Sequence, residues 1–546
     1  MQINSVKHYQ TQNKNNLNFN GFSDEFFRFL ATNQAIGANA VDLSFMVLPR
    51  TIIDFKNRGV EAGFETGRRE ASGTTNHTLI GVYGGLTGFL LAALHGFKNK
   101  FDADVNKIYA APEILTILSE NKTQQLKAKE SQLDYISKTL SNLKLYNPTS
   151  VKADKEGYVQ ISEKVINEVS TILNEAINDG NYEKFAGSKS IKNPNSVDLV
   201  VNKIVADTGA KSKYILRDGA NDWFKSSTDL KTFIKDYYKI SVTFNKDKVK
   251  QVFLEQIKDN IPVASNKFVS KVIKFMKQRS LMGFLIGSGV GMSVQPINMY
   301  LTKKKTGTDG FVGVEGRSKD NSLGFKLLKG AAGGGFLGMT MLTLKTGFKG
   351  FMGKMAFEGF WPSINQLKGI YGLTIISRLL SARDKDELRE SLTKDTLGYL
   401  SWLVLGDIVN KLVATALDKN DATVLNTTDK DVKGVFQKMK RAFYARLKTR
   451  DEVVIDALSK NNIDITKIDG DKVVAKKFRE MLKDLNKLPE AAQKVVKRQL
   501  RTLKWAQISG YAFSGLVLGM GIPKLNIAIT NSLDKKRKAK SVALNN

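Results

Sequence analysis

The chain has 546 residues, of which 84 are basic and 53 acidic, and its formal net charge is +31. It contains no cysteine, which excludes disulfides, cysteine-ligated zinc, iron–sulfur clusters and thiol nucleophiles. Its three histidines leave little room for a histidine-rich metal site, and a hydrophobic content of 42% excludes a disordered chain.

Residues 1–34 form a polar N-terminal segment that is rich in Asn and Gln. It lacks the basic and apolar regions of a secretory signal, so no cleavable signal peptide is expected. Proline is scarce, and charged stretches elsewhere alternate in a helical rhythm. The sequence therefore predicts a mainly all-α fold in which a small amount of β structure is possible.

Uncharged stretches bounded by basic residues recur along the chain. A helix needs about 20 mostly apolar residues to cross a hydrocarbon layer that is ~30 Å thick. The apolar segment 35–97 contains a candidate span at 78–97, and the apolar helical bundle predicted at 280–417 contains a second at 281–302. The third lies in segment 505–530, where 505–523 carries no charge. These stretches predict a multi-pass helical membrane protein, and buried helices of a large soluble protein are the alternative.

Shorter or interrupted apolar stretches predict further membrane or core helices. Residues 35–55 contain Asp42 and Arg50, residues 369–380 contain Arg378, and residues 396–417 contain Asp407 and Lys411; a fourth stretch covers residues 330–344. An ionisable group is costly in lipid unless it is paired or hydrated. Asp42 and Asp407 are therefore candidate polar residues of the membrane interior, and Lys411 lies at the i, i+4 spacing of an ion pair with Asp407.

Small residues at four-residue spacing allow membrane helices to approach closely. Glycines with this spacing occur in each of the three uncharged stretches. Loose packing around bends is the alternative interpretation. The predicted helix-packing residues are Gly81, Gly85, Gly88, Gly283, Gly287, Gly291, Gly515 and Gly519.

An internal repeat links two of these stretches. Residues 291–302 read GMSVQPINMYLT and residues 519–530 read GMGIPKLNIAIT, so Gly, Met, Asn and Thr coincide. Proline removes a backbone donor, so each helix is expected to kink or end near Pro296 or Pro523. Asn298 and Asn526 are then candidate polar residues of the membrane interior that satisfy the carbonyls released there.

Two polar regions, residues 98–279 and 418–504, predict water-soluble helical structure. In the first, apolar residues from Ile161 to Ile177 recur at steps of three and four, which predicts an amphipathic helix. The alternating run 240–244 predicts a strand, and another is predicted around 463–468 before the Asp469-Gly470 turn.

Residues 431–450 hold seven basic groups and one acid along an apolar stripe, which predicts a basic amphipathic helix suited to an anionic membrane surface or to an ordinary solvated core-facing position. The basic tail 531–546 follows the last candidate span. The predicted partners are the lipid bilayer, with anionic lipid, and a possible protein partner or homo-oligomer. Nucleic acid is a less favoured partner, because the positive charge is dispersed along the chain.

Motif searches give no catalytic, metal or cofactor site. The nearest approach to a phosphate-binding loop, residues 347–355, misplaces its first glycine and has Met355 where a hydroxyl is needed. The sequence thus favours an integral membrane protein with a scaffolding or partner-binding role, and no enzymatic activity can be derived. The alternatives are a transporter with a site near Pro296 and Pro523, and a soluble basic nucleic-acid-binding protein.

Overall fold

The structure is a computed structural model, and its description covers most of the chain between Phe22 and Asn545. The described residues are 22–32, 34–94, 108, 112–148, 150–186, 196–218, 222–306, 319–344, 347, 351, 353–355, 363–418, 423–425, 434–470 and 472–545. The predicted N-terminal segment 1–34 therefore lies mostly outside the described residues.

The fold is mostly helical, which confirms the all-α prediction. From the end of the N-terminal segment through the first apolar segment, four helices lead into an apolar one. These helices are α1 (Phe22–Thr32), α2 (Gln34–Val41), α3 (Leu48–Arg58), α4 (Val60–Thr78) and α5 (Ile80–Leu94).

The first polar region combines helices with a small antiparallel sheet of strand order β2-β1-β3-β4. Its helices begin or end at polar caps, such as the Ser131 capping box. The elements are α6 (Pro112–Ala128), α7 (Gln132–Ser141), β1 (Leu143–Tyr146), β2 (Tyr158–Gln160), α8 (Glu163–Asp179), α9 (Tyr182–Ala186), α10 (Ser196–Thr208), β3 (Ser212–Asp218), β4 (Asp222–Asp229), α11 (Leu230–Phe244) and α12 (Asp247–Lys258).

The second apolar segment begins with a 40-residue helix and continues in shorter ones. Asp384 and Ser363 cap two of the shorter helices with their side chains. The elements are α13 (Lys267–Thr306), α14 (Leu323–Thr343), α15 (Ile364–Leu380), α16 (Lys385–Leu400) and α17 (Gly406–Leu417).

The second polar region contains short helices and two two-stranded antiparallel sheets, and long helices follow it to the C-terminus. The elements are β5 (Val424–Leu425), α18 (Val435–Tyr444), β6 (Arg446–Leu447), α19 (Arg450–Lys460), β7 (Thr466–Asp469), β8 (Lys472–Ala475), α20 (Phe478–Asp484), α21 (Glu490–Gly515) and α22 (Ile522–Asn545).

One strand prediction is wrong. Residues 240–244 form the end of helix α11, because Phe233, Ile234, Tyr237 and Phe244 bury one helical face and five alternating residues are too few to decide the period. The other strand prediction is confirmed: β7 begins at Thr466 and pairs with β8 around Gly470, whose φ of 62° suits glycine.

Both amphipathic helix predictions are met in the structure, one of them over a shorter length. Helix α8 buries Ile166, Val169, Leu173 and Ile177, as the spacing predicts. The basic amphipathic helix predicted over 431–450 is α18 in the described residues, and it ends at Tyr444, before the short strand β6. Residues 431–433 lie outside the described part of the chain.

The two polar regions share one hydrophobic core. Residues of α6 to α12 pack in the same buried cluster as residues of α19, α20 and α21. Phe275 near the start of α13 and Leu503 in α21 also belong to this cluster. The polar domain, defined here as this shared core and its helices, is therefore built from two separate parts of the chain. Helices α13 and α21 run from it into the apolar bundle, defined here as α2 to α5, α14 to α17 and α22 with the adjoining parts of α13 and α21.

Ion pairs close the contact between the two halves of the polar domain. Asp451 lies 3.1 Å from Lys211 Nζ and 2.7 Å from Arg28 Nε, and the neighbouring Glu452 accepts the Lys211 backbone N–H. Burial by itself would raise the pKa of the Asp451 carboxyl, but Lys211 and Arg28 hold that pKa below its usual value.

The pKa of the Asp451 carboxyl is lower in the folded chain than in the unfolded chain, where it is about 4. The ionised carboxylate therefore stabilises the folded state above about pH 4, and this stabilisation is lost as the pH falls from about 4 toward the lower pKa of the folded state. We therefore expect the melting temperature of the protein to fall between about pH 4 and pH 2, and to fall less over this range in Asp451→Asn. Thermal unfolding followed by circular dichroism measures this difference. Equal acid sensitivity of the two proteins would contradict the assignment.

By length and composition, helices in the described residues that could cross a membrane are Lys267–Lys305, Lys385–Leu417 and Glu490–Leu533. The pair Val60–Asn76 and Ile80–Leu94 meets the same criteria together and is bent by 46° at the break. The candidate spans 281–302 and 505–523 lie inside the first and third of these helices. The candidate span 78–97 falls on the bent pair, with residues 95–97 outside the described part.

Candidate functional site: a buried ionic cluster in the apolar bundle

Charged side chains converge in the interior of the apolar bundle. Helices α3, α4, α15 and α16 supply most of them, and a π-helical turn at Asp42–Val47 supplies one. A π-turn inserts one extra residue and so turns the following side chains to a new face. The ionic cluster is defined as Asp42, Arg50, Glu70, Arg378, Lys394 and Asp395.

Glu70 is the centre of the ionic cluster. Its Oε1 lies 2.6 Å from Lys394 Nζ, and its Oε2 lies 3.5 Å from nitrogens of both Arg50 and Arg378. Arg378 also donates to Asp395 Oδ1 over 3.2 Å. With Asp42, the ionic cluster contains three carboxylates and three cations, so its own formal charge is zero.

Asp42 completes the set from the π-turn. The Thr74 hydroxyl donates to its carboxylate, and Thr74 stands one helical turn after Glu70 on α4. None of the three guanidinium nitrogens of Arg50 has a hydrogen-bond acceptor within the described part of the chain. Arg50 is therefore held by charge, and removing its partner would leave a buried cation without compensation.

Asn298 lies beside this cluster, on the other side of α4. Arg68 donates through Nε to its side-chain oxygen over 2.9 Å and through Nη2 to its backbone carbonyl over 3.0 Å. The same guanidinium donates to Thr302, and the Asn298 amide donates to Ser72. Asn298 thus joins α13 to α4.

Asn526 makes the corresponding connection in the second copy of the repeat. Its amide donates to the backbone carbonyl of Glu390 over 2.9 Å, and the Thr530 hydroxyl donates to the Glu390 carboxylate. Arg389 donates to Thr530 over 3.1 Å. In both copies, an Asn and a Thr one turn apart bind an arginine-bearing helix, which is α4 in the first and α16 in the second.

The prolines of the repeat do not end their helices. Helix α13 continues through Pro296, and the Met292 carbonyl, which loses its usual N–H partner there, accepts the Ser377 hydroxyl over 2.5 Å. Pro523 follows a π-turn at Leu516–Gly521 and is the second residue of α22. Of the kink or end expected at Pro296, the helix end does not occur, because a neighbouring helix satisfies the carbonyl.

Asp407 lies away from the ionic cluster. Its side chain is 61% exposed on α17, and its carboxylate pairs with Lys411 Nζ over 2.5 Å, which confirms the i, i+4 pairing. The structure thus places Asp42, Asn298 and Asn526 in the interior of the bundle and Asp407 on its surface.

The predicted helix-packing glycines differ in how closely neighbours approach them. A Cβ on Gly287 would lie 3.0 Å from Ile370, and one on Gly291 or Gly515 would lie within 3 Å of a neighbouring side chain. At Gly519 it would lie 2.6 Å from the Phe45 carbonyl oxygen, and at Gly85 it would meet nothing within 4 Å. Gly81, Gly88 and Gly283 are buried.

Sequence reasoning missed the centre of the site. Arg50 and Arg378 carried a signal, since each is an isolated charge in an apolar run. Glu70 and Arg68 carried none, because they lie in a charged stretch of α4 that resembles a solvated helix. Lys394 and Asp395 precede an apolar run and gave no indication of burial.

Comparisons with protein-family models, with curated proteins and with solved structures found no match. Among the described residues, no group of three or more Asp, Glu or His side chains is arranged to hold a metal ion. The contacts that the ionic cluster makes are ion pairs and hydrogen bonds between helices.

Proposed function

We propose that this chain is a multi-pass integral membrane protein that anchors the polar domain to a bilayer and serves as a scaffold or partner-binding protein. The observation that carries the proposal is that the bundle encloses charged groups together with its apolar core and exposes many large apolar side chains. Charged groups lie inside it, in the ionic cluster, and large apolar groups face outward.

The outward apolar groups lie on several helices. On α5, Phe89 and Leu94 are exposed, and on α13 so are Leu285 and Ile297. Leu327 on α14, with Leu516 and Leu525 near the end of the chain, continues this surface. Large exposed apolar surfaces are uncommon on water-soluble proteins, whereas a lipid-facing surface is apolar, so these side chains favour a bilayer around the bundle.

The ionic cluster fits this role because it is balanced and lies between helices. Paired charges in the interior of a membrane bundle favour one arrangement of its helices, because any arrangement that separates a pair leaves an uncompensated buried charge. The polar domain would then stand outside the bilayer on α13 and α21 and offer its surface to a partner or to a second copy of the chain.

Membrane insertion predicts that alkaline carbonate leaves the protein in the membrane pellet. Leu90→Arg on the exposed face of α5 is expected to shift part of the protein to the supernatant, because arginine at mid-span costs about 2.5–3.5 kcal/mol of insertion free energy. The matched control is Val151→Arg in a fully exposed loop of the polar domain, which should remain in the pellet. Release of the unchanged protein would overturn the proposal, and salt-sensitive retention of that released protein on DNA would favour nucleic-acid binding instead.

Transport is the rival proposal, and the buried charges next to Asn298 favour it, since such groups often mark ion pathways. Asn298→Ala and Asn526→Ala in proteoliposomes would separate the two proposals. Loss of a solute or proton flux in variants that still insert would favour transport. Unchanged flux would favour the anchoring role, in which both residues join helices.

A further inference from the structure

An amphipathic helix of the second polar region has an apolar face that is not covered. Val435 is 76% and Phe436 80% exposed, and Met439, one turn later, is also exposed. The C-terminal end of α18 is packed, since Ala442, less than one turn after Met439, and Ala445, which follows the helix, are buried. The helix therefore has a packed C-terminal end and, nearer its N-terminal end, an outer apolar face, defined as Val435, Phe436 and Met439.

The position of α18 along the bundle coincides with the ends of two candidate spans. Ala445 packs in one cluster with Ala414, three residues before the end of α17, and with Ala506. Ala506 directly follows Trp505, which begins the uncharged stretch 505–523 and is exposed. Tryptophan is enriched where a span meets the headgroups, so α18 lies at the depth expected for the membrane surface.

The charge on this segment complements anionic headgroups. Lys440 is exposed on α18, and residues 431–450 contain seven basic groups and one acid. Several of the basic groups that follow α18 pair within the protein, Arg446 with Glu452 and Lys448 with Asp456 among them. Among the described side chains of α18, Lys440 is therefore the exposed positive charge available to a lipid surface, and it lies one turn after Phe436.

We infer that α18 lies in the headgroup layer of an anionic leaflet, with its outer apolar face among the acyl chains. The inference rests on the proposed membrane insertion and specifies the lipid class and the side of the protein that binds it. Burial of apolar groups and attraction to anionic lipid add in such a helix, and binding depends on lipid composition and salt.

The absence of cysteine allows a direct test. Val435→Cys, labelled with an environment-sensitive fluorophore, is reconstituted into vesicles of phosphatidylcholine or of equal parts phosphatidylcholine and phosphatidylglycerol. We expect blue-shifted emission that brominated lipid quenches, with stronger quenching in the anionic vesicles. The same label on Val151→Cys should report water in both. Three results would overturn the inference. They are water-like emission from the label at residue 435 in both kinds of vesicle, equal quenching by brominated lipid in the two, and blue-shifted emission that brominated lipid does not quench.

Second variants separate the contributions of charge and apolar burial. Lys440→Glu should reduce the quenching at residue 435 in anionic vesicles, whereas Lys155→Glu in an exposed loop should leave it unchanged. Phe436→Ser should reduce it in both lipid mixtures, and Ile468→Ser on the exposed β7 should not. Carbonate extraction of the same vesicles tests membrane insertion separately from the placement of α18. Protein that stays in the membrane while its label at residue 435 is exposed to water refutes only the placement of α18.

Discussion

Replacing Glu70 with glutamine is expected to lower the free energy of unfolding by about 3–5 kcal/mol, because it leaves buried cations without their partner. Glu70 faces Arg50, Arg378 and Lys394, and the first two of these are themselves fully enclosed. A neutral amide keeps the volume of the side chain and removes only its charge. Thermal unfolding of the detergent-solubilised protein, followed by circular dichroism, measures the loss.

The matched control is Glu61→Gln, which makes the same change at an exposed position in the first turn of the same helix and should alter stability by less than about 0.5 kcal/mol. A double variant, Glu70→Gln with Lys394→Met, restores the balance with two carboxylates and two arginines. It should recover part of the loss, since paired groups in one network are not additive. Equal melting temperatures for Glu70→Gln and Glu61→Gln would refute the central position of Glu70.

Replacing Gly519 with alanine is expected to cost about 1–3 kcal/mol of stability, the usual cost of overpacking a close contact. The new Cβ would lie 2.6 Å from the Phe45 carbonyl oxygen and within 3.3 Å of the Pro49 ring. A backbone carbonyl cannot rotate aside as a flexible side chain can, so the two π-turns, at Asp42–Val47 and Leu516–Gly521, would have to separate.

Gly289→Ala provides the same chemical change where there is room. A Cβ at Gly289 on α13 would meet nothing within 4 Å, so the substitution should be neutral or stabilise the helix by up to about 1 kcal/mol. The two alanine variants are compared by thermal unfolding at identical detergent concentration. A melting temperature for Gly519→Ala at or above that of Gly289→Ala would contradict the close approach of the π-turns.

The local features of this protein were predictable because they depend on near neighbours. The stripe in α8, the Asp407–Lys411 pair and the turn at Gly470 each involve residues within a few positions, and the structure confirms all three. The strand prediction for residues 240–244 was wrong because the same five residues fit both the two-residue period of a strand and the buried face of a helix. The tertiary contacts of α11 decided between the two.

Composition predicted that Asp42 and Asn298 need polar partners, but it could not predict which residues those partners are. A lone acid or amide in an apolar run indicates that a partner is needed, but it does not identify that partner. The partners are Thr74 for Asp42 and Arg68 for Asn298, and the second pair is 230 residues apart in the chain. Nothing in the surroundings of Arg68 distinguishes it from a solvated arginine.

The sequence by itself determined that the chain is mostly helical, that its apolar stretches are bounded by basic residues, and that a short motif occurs twice. Each of these depends on local composition and spacing. Only the tertiary structure decided that two distant polar regions form one core, that Glu70 binds Lys394 across 324 positions, and that α13 continues through Pro296. Those outcomes depend on which helices pack together, because a buried charge or an unpaired carbonyl is satisfied by whatever group packing brings next to it.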